Sequence, residues 1–299
     1  MCGIVGLFLK NSALKPQLGR HLSTMLIGMT DRGPDSAGIA VYHRPVAKPQ
    51  CKLTLFHADL HHHWRQIGGE LGGDLNCEVD IEAKANHVVM TVATDEATAR
   101  AWLQEHHPEI RIMGYGQVME VYKDMGLPAE VVDKYGVRGM EGSHAIGHTR
   151  MATESAVTTE HSHPFTAAAD MCLVHNGSLS NHNNLRKWLR KRGHRFETDN
   201  DSEVAARYFA HRLGEGASLP EALEAGLRDL DGFYTFTMST RDGFAVLRDG
   251  IACKPAVLAE NDDWVAMASE FRSLANLPGI ENATIWEPKP AVVYTWSLQ

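Results

Sequence analysis

Met1-Cys2-Gly3-Ile4-Val5-Gly6-Leu7-Phe8-Leu9 opens the chain and is almost wholly apolar from Gly3 onward. No basic region precedes the run and it is too short for a signal core, so Ile4 to Leu9 reads as a buried strand. Position two carries more meaning. A thiol is the most nucleophilic side chain, but near neutral pH it needs a base or a lowered pKa to react efficiently. Once Met1 is removed, Cys2 becomes the first residue, and its own α-amine, with an ordinary pKa of about 7.7–8.0, serves as that base. Gly3 leaves room beside it for a substrate to approach the backbone. Standing alone, a cysteine here is simply a small residue at a strand start.

The bulk of the sequence narrows the setting. A chain of 299 residues with 43% hydrophobic residues builds a sizeable core in one large domain or two small ones. Its 29 basic and 37 acidic residues give a formal charge of −8, which disfavours nucleic acid or an anionic membrane as partner and favours a small molecule or a protein. The five cysteines are widely spaced and contain no Cys-x-x-Cys pair, against a disulfide framework, a zinc site or an iron–sulfur cluster. That usage fits a reducing cytoplasm. No stretch is long and apolar enough to span a bilayer.

Further along, Leu18, Leu22, Met25, Leu26 and Met29 recur at helical spacing before the turn Asp31-Arg32-Gly33-Pro34-Asp35 and a strand from Gly38 to Tyr42. From about residue 43 to 143 the texture changes. A Pro-containing stretch, His61-His62-His63 and two Gly-Gly pairs precede a strand at His87–Ala93, a helix at Asp95–His106, a strand at Ile110–Val121 and a short helix near Pro128–Tyr135. This reads as an inserted lobe. The three histidines are adjacent in an extended loop, where side chains diverge, so they read as solvated and not as a metal site. Strands at His144–His148 and Met171–His175 then flank a polar loop. Helices follow around Asn184–Arg192, Ser202–Leu213 and, from the Ser218/Glu221 capping box, up to Leu230. The rest is strands, including a hairpin at Asp242-Gly243. Strands at both ends with helices between predict stacked sheets covered by helices.

Beyond Cys2-Gly3-Ile4-Val5-Gly6, five more blocks follow in order: Arg32-Gly33-Pro34-Asp35-Ser36-Ala37-Gly38, Gly147-His148-Thr149-Arg150, His163-Pro164-Phe165, His175-Asn176-Gly177 and Asp201-Ser202-Glu203. Each alone is an ordinary turn or helix start. Together they resemble the class II glutamine amidotransferases, whose glutaminase domain is an N-terminal-nucleophile (Ntn) hydrolase. The resemblance implies an α+β, four-layer αββα sandwich over residues 1–299, here carrying a small α/β lobe. It also implies roles. Cys2 is the nucleophile toward L-glutamine, and Asn176 with the Gly177 N–H forms the oxyanion hole. Arg150 grips the substrate α-carboxylate and Asp201 its α-ammonium, while Thr153, His163 and Arg32 shape the pocket. The α-amine already fills the role of base, so His148 and His163 are expected to be wall residues.

Two features depart from the commoner members: Met151 stands where the sugar-phosphate enzymes have tryptophan, and the lobe lengthens the link between the second and third blocks. No phosphate-binding glycine loop or nucleotide motif follows the last block, so ammonia is expected to pass to a separate synthase subunit. Such a stand-alone chain is similar to the amidotransferase-like subunit of N-methylglutamate synthase. There the partner would hold the flavin and this chain no cofactor or metal. The alternative is a catalytically silent subunit using the same pocket to bind glutamine or glutamate.

Overall fold

The computed structural model describes residues 2–151 and 157–298. In chain order the elements are β1 (Gly3–Leu9), α1 (Leu18–Ile27), β2 (Ser36–Tyr42), β3 (Cys51–Phe56), α2 (Trp64–Leu75), β4 (Val79–Lys84), β5 (His87–Val92), α3 (Glu96–His106), β6 (Arg111–Gly116), β7 (Met119–Met125) and α4 (Pro128–Lys134). They continue as β8 (His144–Arg150), β9 (Phe165–Ala168), β10 (Met171–Leu179), α5 (His182–Arg190), α6 (Asp201–Gly214), α7 (Leu219–Asp229), β11 (Gly232–Thr240), β12 (Gly243–Arg248), β13 (Val257–Glu260), β14 (Trp264–Ala268), β15 (Thr284–Trp286) and β16 (Val293–Ser297).

All seven residues of β1 are buried, which marks it as a central strand covered on both faces. It lies within a seven-stranded sheet of order β15-β13-β14-β1-β8-β2-β7. Val5, Leu7 and Leu9 meet Leu18, Leu22, Met25 and Leu26 of α1 on one face. Ile4 and Phe8 point the other way, into a core shared with Cys172 and Val174 of β10 and Phe244 and Val246 of β12. Those strands belong to a five-stranded sheet, β16-β12-β11-β10-β9, whose far face packs Leu173 and Phe236 against Val204, Phe209 and Leu223 of α6 and α7. Helix, sheet, sheet and helix therefore form four layers, and each fully buried Leu, Ile, Val or Phe contributes about 1.5–3 kcal/mol.

A separate four-stranded sheet, β4-β5-β3-β6, carries α2 and α3. The single strand predicted over Ile110–Val121 is in fact two. Gly116, at φ +147°, turns the chain, and the Asp170 carboxylate from the β9–β10 turn accepts the N–H groups of Gln117, Val118 and Met119 at 2.8–3.0 Å. β6 stays in the small sheet, while β7 pairs with β2 as the edge of the large one. α2 has no helical signature in the sequence, because its Gly68-Gly69 and Gly72-Gly73 pairs suggest loop. Trp64, Ile67, Gly68 and Leu71 are its buried residues, and a Cβ on Gly68 would lie 2.4 Å from Ile81, so a glycine is what lets the helix approach β4. Among the described residues no helix is long and apolar enough to cross a membrane.

Candidate active site

Cys2 immediately precedes β1, and its carbonyl oxygen accepts a hydrogen bond from Arg32 Nε at 3.0 Å. Gly3 pairs with Thr149 and Ile4 with His148 on β8, while Ser36 of β2 pairs with Arg150. Continuing this alternation one residue outward puts Cys2 on the inter-sheet face with Ile4, and Arg150 on that face with His148. Arg32 is buried, ion-paired to Glu270 at 2.9 Å, and its Nη2 meets no acceptor among the described residues. The turn it starts is pressed against β8: a Cβ on Gly33 would lie 2.4 Å from the Thr149 carbonyl carbon, and the Asp35 N–H donates to Arg150 O at 3.0 Å. One expectation needs correction. The space beside Gly3 belongs to Met29 and Thr149, each 2.8 Å from where its Cβ would stand, and not to an approaching substrate.

The opposite sheet supplies the other wall. Val174 of β10 faces the inter-sheet core, so Asn176 does too, whereas His175 turns toward α6 and lies 2.9 Å from Ser202 Oγ. Asn176 is buried, and its Nδ2 meets no acceptor among the described residues. Leaving such a donor unmade costs about 1–3 kcal/mol, so this amide is suited to receive an oxygen. Gly177 adopts φ +154°, and a Cβ there would lie 1.9 Å from Phe233 O, so the position admits only glycine. Its neighbour on the helical side, Asp201, is the first residue of α6. One oxygen accepts the Leu179 N–H at 2.8 Å, and the other lies 3.8 Å from His175 Nδ1.

His148 Nε2 donates to His175 O at 3.0 Å, tying the two sheets together beside Asn176. The His163 ring stacks on it at 3.9 Å, buried, with neither ring nitrogen meeting a partner among the described residues. Burial pushes His148 down to about 3 and His163 well below the ordinary histidine range, so both are neutral imidazoles. Thr153 lies outside the described residues. Cys2, Arg150, His163 and Asn176 therefore face the same end of the inter-sheet layer, with Arg32 against the Cys2 carbonyl and Asp201 behind β10. Of the His61-His62-His63 run, His62 stacks on His57 at 3.8 Å, and no group of three or more metal-ligating side chains occurs among the described residues.

Burial similarly lowers His87 to about 3 and His144 to about 4. The unfolded chain takes up protons below pH 6.5 that these native histidines refuse, so stability is complete above that value and is lost on acidification. Each such group costs about 1.4 kcal/mol per pH unit in the window between its unfolded and folded values. For the four buried histidines, denaturant titrations near pH 7.5 and pH 5.5 should therefore differ by roughly 5 kcal/mol, with the acidic sample less stable. Equal stabilities would show that these rings are protonated in the native protein.

Some charged residues that touch these elements belong to no motif. Glu270, the partner of Arg32, follows it by more than two hundred residues, and Lys123 and Asp124 sit in β7 with no local signature. Lys123 and Asp124 share β7 with a third charge, Glu120, so no apolar alternation singles them out, and Glu270 lies just beyond the end of β14.

This four-layer architecture is shared with the glutamine phosphoribosylpyrophosphate amidotransferase from B. subtilis complexed with ADP and GMP, at a TM-score of 0.63 and 20% identity over 99% of this chain. The chain spans 47% of that enzyme's length. Residues 148–276 match the glutamine amidotransferase domain family. Over its full length the chain is 53% identical to the glutamine amidotransferase-like protein GlxB of Rhizobium meliloti, covering 99% of that protein. It is 32% identical to a putative glutamine amidotransferase of Methanothermobacter thermautotrophicus, over 98% of this chain and 99% of the other. The chain belongs to the class II glutamine amidotransferase family.

Proposed function

We propose that this chain is the glutaminase subunit of a multi-subunit amidotransferase, and that Cys2 becomes its nucleophile when Met1 is removed. The α-amine takes the thiol proton as sulfur attacks the side-chain carbonyl carbon of glutamine. Asn176 Nδ2 and the Gly177 N–H stabilise the oxyanion, and the same amine returns the proton to the leaving ammonia. Water then cleaves the γ-glutamyl thioester, giving glutamate and restoring the thiol. Arg150 binds the α-carboxylate and Asp201 the α-ammonium, with Thr153, His163 and Arg32 completing the pocket. Ammonia passes to a separate synthase subunit that holds any flavin, in an arrangement of N-methylglutamate synthase type.

The observation that carries this reading is the buried Asn176 amide, whose Nδ2 meets no acceptor among the described residues, on the inter-sheet face that the alternation of β1 gives to Cys2. A site for binding alone has no need of a thiol at that place. The test is glutamine turnover by the processed chain, alone and with its co-purifying subunits. Glutamate and ammonia should appear in equal amounts. Absence of both in every combination would reduce the chain to a binding subunit.

A further inference from the structure

β7 is the edge of the seven-stranded sheet, and two consecutive residues of it reach the loop that carries His163. Lys123 Nζ donates to three main-chain carbonyls of that loop, Glu160 O at 3.3 Å, Ser162 O at 2.8 Å and Pro164 O at 3.2 Å. Asp124 Oδ1 accepts from Thr159 Oγ1 at 2.9 Å. Register explains why the loop lies there. His148, Gly38 and Lys123 form one row across β8, β2 and β7, and a Cβ on Gly38 would stand 2.1 Å from His163 O. The loop main chain thus crosses the row over Gly38, with the His163 ring on His148 at one side and the ammonium of Lys123 at the other. A lysine suits this position because its three N–H groups radiate from one point toward three carbonyls, which a planar guanidinium cannot match.

Asp124 has a second set of partners. Its other oxygen accepts from Tyr135 OH at 2.8 Å and from Asn86 Nδ2 at 3.1 Å, and Asn86 lies at the tip of the β4–β5 hairpin of the small sheet. Burial alone would raise this carboxyl, but the bonds from Lys134, Tyr135, Thr159 and Asn86 outweigh it and hold it below its ordinary value. Lys123 is fully buried, and burial lowers it to about 8. Such desolvation makes it a costly residue to keep for bulk packing.

We propose that Lys123 and Asp124 are positioning residues for glutamine: from the sheet edge they clamp residues 159–164 so that His163 is held at the substrate pocket. This rests on the glutaminase reading above. The clamp acts on substrate binding and not on the bond-making atoms, which separates its effect from that of Cys2 or Asn176.

Steady-state glutamine hydrolysis by Lys123→Met and Thr159→Val, in the processed protein with its partner subunits, tests this. A loosened loop should raise KM for glutamine about tenfold in Lys123→Met and about threefold in Thr159→Val, with kcat within about threefold of the parent. Alkylation of Cys2 by iodoacetamide, which does not need the glutamine pocket, should keep its rate, whereas inactivation by a glutamine-analogue diazoketone should slow in proportion to KM. Thr159→Val decides the matter if Lys123→Met does not fold. Unchanged KM, or a loss confined to kcat, overturns the clamp while leaving the glutaminase reading intact. A parent protein that neither hydrolyses glutamine nor reacts with the diazoketone at Cys2 overturns both.

Discussion

Cys2→Ala should lower glutamine hydrolysis by about four orders of magnitude or more, leaving only what binding and oxyanion stabilisation achieve with water as nucleophile. The substitution is small and sits just outside β1, so the β1 ladder to β8 and β14 remains and stability should change little. Glutamine binding should survive, because Arg150 and Asp201 hold the amino-acid end of the substrate in the proposed complex. Ammonia release by the purified variant complex, measured beside a glutamine-binding titration, separates the two effects. Loss of binding together with turnover would place Cys2 in the pocket wall and not in the chemistry.

The second large effect belongs to Asn176. Asn176→Ala removes a donor fixed in position before the oxyanion forms, and such donors are worth about 10²–10³-fold in kcat. KM should move little, since a group that matters only in the transition state does not tighten substrate binding. Gly177 keeps its N–H in this variant, so activity should not fall as far as in Cys2→Ala. Steady-state kinetics of Asn176→Ala give the answer directly, and a variant that retains more than a third of the parent kcat would remove Asn176 from the oxyanion hole.

The central architecture was legible because its signals are local. The apolar run after Cys2, the helical spacing from Leu18 to Met29 and the Ser218/Glu221 capping box all mark elements that the structure contains. The blocks at Cys2, Arg32, Gly147, His163 and His175 meet through particular contacts: Arg32 on the Cys2 carbonyl, Ile4 paired with His148, His163 stacked on His148, and His148 bonded to His175 O. What escaped depended on tertiary partners. Gly68 and Gly72 look like loop residues until β4 is placed against them, and the break after Gly116 is made by Asp170, more than fifty residues away. Gly3 depends on tertiary partners in the same way, since Met29 and Thr149 claim the space beside it. Lys123 and Asp124 could not be read at all, because the carbonyls and hydroxyl they bind lie in a loop more than thirty residues downstream.

The intact mass of the protein, quenched with acid during turnover with glutamine, tests the central claim most directly. The expected species is lighter than the encoded chain by one methionine residue and heavier by one γ-glutamyl group, with the added mass on Cys2 and absent from Cys2→Ala. A chain that retains Met1 while turning over glutamine, or a glutamyl adduct on any other residue, would contradict it.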